Sequence, residues 1–277
     1  MLIKSIGAKI SEYININYFY ESKVCLCLIA KKENMYIKHF LEYYRKLGFK
    51  KIFLYDNNDI NDEKFEDVIK NEIKSGFVSI INYRGFRGNG KTGAQQMNAY
   101  YDCYKKNNLF YDWIAFFDVD EYLVLYKDKN IQKFLTSSRY KNCEIIRYNW
   151  AVFNDNNQLE FEDKPLIDRF TEKIEINSSI NTICKLMVRG NLSNYNNRKI
   201  SNPHVMFSTK KLCDSSGNIK YGFYLKPPVY EYASLNHYHT KSIREYCKKI
   251  KKGDVYYNVT LSRNTINHHY FHFFKYR

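Results

Sequence analysis

Uninterrupted apolar blocks alternate with amphipathic segments along the first half of the chain. Val24-Cys25-Leu26-Cys27-Leu28-Ile29-Ala30 contains no polar break, which predicts a strand buried on both faces. After the polar Lys31-Lys32-Glu33-Asn34, the positions Ile37, Phe40, Leu41, Tyr44 and Leu47 recur at the 3.6-residue period of a helix, and Gly48 stands where a C-cap glycine belongs. Lys51–Tyr55 predicts a second strand, Asp56-Asn57-Asn58-Asp59 a turn, and Phe65, Val68, Ile69 and Ile73 a second helix closed by Gly76. Phe77–Ile81 predicts a third strand, Tyr83–Gly93 a glycine-rich basic loop, and Ala94, Met97, Tyr101 and Tyr104 a third helix. This alternation predicts an α/β fold with a mostly parallel sheet and helices on both faces. Ligands of such sheets bind beyond the carboxyl ends of the strands.

The next apolar run, Trp113-Ile114-Ala115-Phe116-Phe117, ends abruptly in Asp118-Val119-Asp120-Glu121. It predicts a buried strand with its acids at the exposed carboxyl end. If the chain stays extended there, residues i and i+2 point the same way, so Asp118 and Asp120 would aim their oxygens at one hard cation. One or two carboxylates, with substrate phosphates and water, suit Mg²⁺ or Mn²⁺. The alternative is a solvated acidic turn.

After about residue 127 the rhythm breaks. Short strand-like runs at Glu144–Asn149, Ile183–Val188 and Val229–Ala233 are separated by long Asn-rich connections, and Lys241–Lys252 reads as a basic helix stopped by Gly253. The expected organisation is an N-terminal arm (1–22), a ligand-binding half (23–126), a second half shaped for another reactant (127–240), and a basic helix with an aromatic tail (241–277). Seven scattered cysteines, an odd number, suggest reduced intracellular usage. With no signal-peptide layout and no apolar segment of membrane-spanning length, the expectation is a cytoplasmic protein.

Composition adds one constraint. Forty-four Lys and Arg against 29 Asp and Glu give a net charge of +15, which favours an anionic partner but does not choose among nucleic acid, an anionic membrane and phosphorylated small molecules. The interleaving of Tyr with Lys admits a nucleic-acid-binding protein, yet such a surface gives no reason for a buried strand to end in two aspartates, so no nucleic acid is expected. Gly85-Phe86-Arg87-Gly88-Asn89-Gly90-Lys91-Thr92 satisfies the phosphate-loop pattern of nucleotide triphosphatases. That loop follows the third strand rather than opening the fold, and the later half lacks the strand-helix units to complete such a sheet. The preferred reading is a glycine-rich loop whose Arg84, Arg87 and Lys91 approach a diphosphate.

Several segments then occur in a telling order. Ala30-Lys31-Lys32-Glu33, Leu54-Tyr55-Asp56-Asn57, the helix bearing Gln95 and Gln96, Phe117-Asp118-Val119-Asp120-Glu121-Tyr122-Leu123 and Asn236-His237-Tyr238-His239-Thr240-Lys241-Ser242 resemble glycosyltransferase family 92 and related family-2-like enzymes over roughly residues 23–252. Lys32 departs from the family's usual A-K-N-E turn, and Phe153–Asn157 departs from its glycines. The resemblance implies a GT-A-type fold and transfer of a sugar from a nucleotide-diphosphate donor to a saccharide or lipid-linked glycan acceptor, with inversion, in surface polysaccharide or glycan synthesis. It implies Asp118, Asp120 and His237 as ligands of Mn²⁺ or Mg²⁺, with His239 and His204 as further histidine candidates and Glu121 orienting the ligands. On the donor side it implies Ala30, Lys31, Glu33, Asp56 and Asn57 at the base and ribose, Arg84 and Gln96 at the phosphates or sugar, and Lys241 and Ser242 at phosphate oxygens. The catalytic base is not identified: Asp155, Glu162 and Asp163 are candidates whose spacing does not separate catalysis from surface acid. A basic tail against an anionic membrane is the expected setting for a lipid-linked acceptor.

Overall fold

In the computed structural model, residues 21–86, 94–193, 195, 202–204, 207 and 209–252 are described. The arm before residue 21, residues 87–92 of the phosphate-loop pattern with Arg87 and Lys91, and the tail from Gly253 lie outside them. Nine strands are named: β1 (Val24–Ala30), β2 (Lys51–Asp56), β3 (Val78–Asn82), β4 (Trp113–Phe116), β5 (Glu121–Leu125), β6 (Ile145–Val152), β7 (Cys184–Arg189), β8 (Leu212–Cys213) and β9 (Ala233–His237). The helices are α1 (Asn34–Leu47), α2 (Lys70–Lys74), α3 (Ala94–Asn107), α4 (Ile131–Leu135), α5 (Leu166–Arg169) and α6 (Ile243–Lys252).

The strands form one sheet in the order β3-β2-β1-β4-β7-β6-β9-β5, with β8 beside β6. Parallel pairing joins β3, β2, β1 and β4, and also β6 to β8 and β9; β4 with β7, β6 with β7 and β5 with β9 are antiparallel. The predicted α/β fold with a mostly parallel sheet is the one observed.

Every residue of β1 is buried, and the pleat sends alternate side chains to opposite faces. Val24, Leu26, Leu28 and Ala30 share one core with Ile37, Phe40, Leu41 and Tyr44 of α1. Cys25, Cys27 and Ile29 share another with Ala99, Tyr100, Cys103 and Tyr104 of α3. Helices therefore cover both faces, and the first four strands all end on one side. Helix α1 stops at Gly48, whose φ of 102° needs the left-handed conformation glycine adopts without strain.

Four expectations are corrected. The second helix is a single 3₁₀ turn at Phe65–Asp67 followed by the short α2, because only Phe65 and Ile69 of the proposed stripe are buried while Val68 faces solvent. The strand expected at Val229–Ala233 begins at Ala233 instead. The chain does not stay extended through the acids: Glu121 N donates to Asp118 O at 3.0 Å, closing a tight turn from which β5 starts at once. Finally, the cysteines are not all reduced, since Cys143, just before β6, and Cys213, on its neighbour β8, form a disulfide. Among the described residues no helix is long and apolar enough to cross a membrane.

Candidate active site

The turn between β4 and β5 gives the two aspartates different neighbours. Asp118 Oδ2 accepts from Lys185 Nζ of β7 at 2.6 Å, while its Oδ1 accepts from Gln96 Nε2 at 3.2 Å and Tyr100 OH at 3.3 Å, both on α3. Asp120 looks the other way, toward the C-terminal helix. Its Oδ2 lies 3.3 Å from Lys241 Nζ and 3.2 Å from Lys249 Nζ, and its Oδ1 lies 3.6 Å from His237 Nε2. Burial pushes the Asp120 carboxyl up, yet Lys249 and Lys241 pull it well below the usual carboxylate range. Asp120 is thus a fixed negative charge ringed by cations.

His237 arrives on β9, whose last residue pairs with Glu121 of β5 and with Val152 of β6. Burial pushes its imidazole down to about 3, against the attraction of Asp120, so the ring is neutral at ordinary pH. Its Nδ1 is buried with no hydrogen-bond partner among the described residues. Glu121 does not face the cluster as a ligand. Its Oε2 accepts from the Asp118 backbone N–H at 2.8 Å and its Oε1 from Trp150 Nε1 at 2.8 Å, which braces the turn from behind. Burial raises its carboxyl to about 8.

No group of three or more His, Cys, Asp or Glu side chains among the described residues is arranged to hold a metal ion. The sequence-derived triad of Asp118, Asp120 and His237 is therefore not gathered as one ligand set, because the turn hands Asp118 to Lys185. A neutral imidazole nitrogen facing a permanently ionised carboxylate oxygen is nonetheless a donor pair that fits Mn²⁺ or Mg²⁺ when phosphates and water supply the remaining ligands. His239 Nδ1 is 3.3 Å from Lys249 Nζ, and His204 Nδ1 lies 2.8 Å from Cys184 O. The His239 ring lies 5.4 Å from that of His237, and the His204 ring meets Trp150.

On the donor side, most of the implied residues are bonded to the turns that carry them. Arg84 Nη1 donates to Asp56 Oδ2 at 2.6 Å and Nη2 to the carbonyls of Asp59 and Asp62, while Asp56 Oδ1 accepts from Asn58 N. Asn57 Nδ2 donates to Tyr83 O and Phe86 O. Ala30 O accepts from Asn57 N, Glu33 O from the first N–H groups of α1, and Lys31 pairs with Asp59 at 3.1 Å. Asp56, Asn57 and Arg84 thus tie the loop ends of β1, β2 and β3 together. Ser242 is likewise engaged: its hydroxyl and backbone N–H bond Glu245 Oε2, and Glu245 N bonds the hydroxyl back, a capping box at the start of α6.

The proposed bases separate by burial. Glu162 pairs with Lys164 and Asp163 with His39 at the surface, whereas Asp155 is buried and accepts from Asn157 N at 3.1 Å. Sequence reasoning missed Lys185, Lys249 and Trp150. Lys185 carried a signal, since it is the lone charge within Cys184-Lys185-Leu186-Met187-Val188; Lys249, one of several lysines on α6, carried none.

A buried fork fixes α6 over the site. Arg169 of α5 donates to Glu245 Oε1 at 3.0 Å and to Oε2 at 2.6 Å, and Tyr36 OH of α1 donates to Oε1 at 2.8 Å. The same helix presents Lys249 to Asp120, while Lys241, whose φ is 55°, stands just before it with its ammonium over the Tyr36 ring.

Comparison with solved structures finds distant likenesses. S. aureus TarS 1-349 in complex with UDP-GlcNAc shares 11% identity over 91% of this chain and 71% of that one, at a TM-score of 0.45. The complex of the same fragment with UDP gives 12%, 91%, 70% and 0.43. The galactosyltransferase LgtC with donor and acceptor sugar analogues gives 8%, 78%, 87% and 0.35. No curated protein matches the chain. A model of glycosyltransferase family 92 matches residues 20–270. Because that match runs from before the first strand to beyond the C-terminal helix, rather than over one motif, the chain belongs to glycosyltransferase family 92 and is a glycosyltransferase.

Proposed function

We propose that the chain takes a sugar from a nucleotide-diphosphate donor lying across the carboxyl ends of β1, β2 and β4. It passes that sugar, with inversion, to a saccharide or lipid-linked glycan acceptor in surface polysaccharide or glycan synthesis. The observation that carries this reading is the convergence of Lys241, Lys249 and His237 on Asp120 at the open end of the sheet. Lys249 is partly exposed and can exchange Asp120 for a phosphate oxygen, while Lys241 is buried and stays to orient the carboxylate. Lys185, with Gln96 and Tyr100, holds Asp118 and so fixes the shape of the turn.

Asp120 and His237 would hold Mn²⁺ or Mg²⁺, with imidazole favouring Mn²⁺. A divalent ion there supplies Lewis-acid neutralisation of charge on the departing diphosphate. Arg244, Lys248 and Lys251 on the exposed side of α6 suit an anionic membrane surface, where a lipid-linked acceptor would be met.

The test is thermal stability of the full chain against nucleoside diphosphates, nucleotide sugars and ATP, with and without Mn²⁺, in the parent and in Asp120→Asn. Selective binding raises stability by about 2.7 kcal/mol at a hundredfold excess over the dissociation constant. The expected result is a shift with one nucleoside diphosphate that needs both Mn²⁺ and Asp120. A shift with ATP that survives Asp120→Asn but is lost in Lys91→Ala would overturn the reading in favour of a phosphate-loop nucleotide triphosphatase.

A further inference from the structure

The segment from Lys220 to Leu225 displays aromatic rings to solvent. Tyr221 is 67% exposed, Tyr224 53% and Phe223 38%. Contiguous exposed apolar surface marks interaction and ligand-binding sites. The rings are also held in place. Arg147 of β6, fully buried, donates from Nη1 to Gly222 O at 2.6 Å and from Nη2 to Lys220 O at 2.8 Å. Gly222, with φ at 94°, allows the turn that sets Tyr221 and Phe223 on either side of it. Taking a guanidinium out of water costs several kcal/mol, so carbonyl anchoring by Arg147 is a costly way to build an idle loop.

From this loop a chain of ring contacts leads into the active site. Tyr224 lies 4.7 Å from Phe223 between centroids, Phe223 5.7 Å from His204, His204 5.9 Å from Trp150, and Trp150 4.2 Å from His237. His237 Nε2 then faces Asp120 at 3.6 Å. Trp150 is tied to the acid turn by its indole N–H on Glu121, and its carbonyl accepts from Tyr230 OH. A row of ring contacts therefore leads from the exposed loop to His237, beside Asp120.

We infer that Tyr224 and Phe223, backed by His204 and Trp150, form an acceptor subsite for an extended saccharide whose near end lies beside His237. This rests on the transferase reading above. A pyranose ring offers an apolar C–H face to an aromatic ring and keeps its hydroxyls in water, so a half-exposed row of rings suits a saccharide better than an apolar lipid tail, which would require full enclosure. Continuity with Asp120 separates the row from a protein-docking patch, which would have no reason to end at a carboxylate ringed by cations.

The experiment titrates the full chain with di- to hexasaccharides of glucose, galactose and N-acetylglucosamine, reading the fluorescence of Trp150. Trp113, the other tryptophan, is buried in the central sheet. The parent, Phe223→Ala and Tyr224→Ala are compared, and each is titrated separately with the nucleoside diphosphate that stabilises the parent. The expected result is a saturating signal from the longer members of one series, weakened about three- to tenfold by either substitution, with nucleotide affinity unchanged. Equal saccharide affinity in all three proteins, or no saccharide binding by the parent, overturns the subsite. Saccharide binding with the expected weakening in a parent that binds no nucleotide leaves the subsite standing and removes the proposed nucleotide-diphosphate donor site instead.

Discussion

The ammonium of Lys185, which is 2% exposed, sits 2.6 Å from the carboxylate of Asp118 and 3.5 Å from that of Glu121. Burial alone would lower the pKa of this lysine, but the two carboxylates raise it well above the ordinary value. Lys185→Met would take the anchoring cation from Asp118 and leave the buried Glu121 carboxyl, already raised to about 8, in its protonated form. We expect a loss of about 3 kcal/mol, at the lower end for a broken buried pair because Asp118 partly faces solvent. Urea unfolding of Lys185→Met against Lys185→Met/Asp118→Asn checks it: the double variant should recover part of the loss, and no recovery would mean the cost is packing alone.

Lys249 differs in kind. It reaches the same cluster from α6 but is 30% exposed, and it meets Asp120 alongside Lys241 rather than alone. Lys249→Met should therefore change stability by less than about 1 kcal/mol while weakening nucleoside-diphosphate affinity about tenfold, the loss of one charge-assisted contact. Calorimetric titration beside a denaturation curve separates the two effects. A stability loss without an affinity loss would make Lys249 a purely structural counter-ion.

The Arg169–Glu245 fork joins α5 to α6 through two buried hydrogen bonds, with Tyr36 and Ser242 completing the carboxylate's shell. Although burial pushes Glu245 up, its hydrogen bonds from Arg169 and Ser242 hold it below the usual range. Arg169→Met strands that charge, with an expected cost of about 3–5 kcal/mol if α6 stays docked. Undocking α6 is the cheaper response, so the backbone amides of residues 243–252 should exchange with solvent far faster in the variant while those of β1 and β4 remain protected. Uniform acceleration across the sheet would count against a local clasp.

How far the sequence could be read follows from which interactions are local. The buried strand β1, helix α1 with its Gly48 cap, and the strand β4 leading to Asp118 were legible because burial and periodicity are written in consecutive residues. The meeting of Asp120 with Lys249 and of Asp118 with Lys185 was not, because each joins segments far apart in the chain and one lysine among many looks like its neighbours. The contacts of Arg84 were hidden for a related reason. Its guanidinium meets the Asp56 carboxylate and the carbonyls of Asp59, Ile60, Asp62 and Glu63, all more than twenty residues earlier in the chain. The turn at Val119–Asp120 was hidden because Val favours strands, so alternation through the acids looked extended.

His204 supplies the pH dependence that can be tested without touching the charged cluster around Asp120. Its Nδ1–H donates to Cys184 O, and burial lowers its pKa from the ordinary 6.5 to about 4. The folded state therefore takes up a proton at this site less readily than the unfolded chain. Its contribution is complete above pH 6.5 and is lost progressively as pH falls toward 4. Between pH 7 and 4.5 this histidine alone should remove about 2 kcal/mol of stability. His204→Gln keeps a donor for the carbonyl but cannot titrate, so the difference in stability between parent and variant should shrink by that amount, or reverse, as the pH is lowered. Urea unfolding of both proteins at half-unit intervals across this window measures it. A constant difference would mean that His204 is solvated and titrates near its ordinary value, and that the ring contacts joining Trp150 to Phe223 are looser than the structure has them.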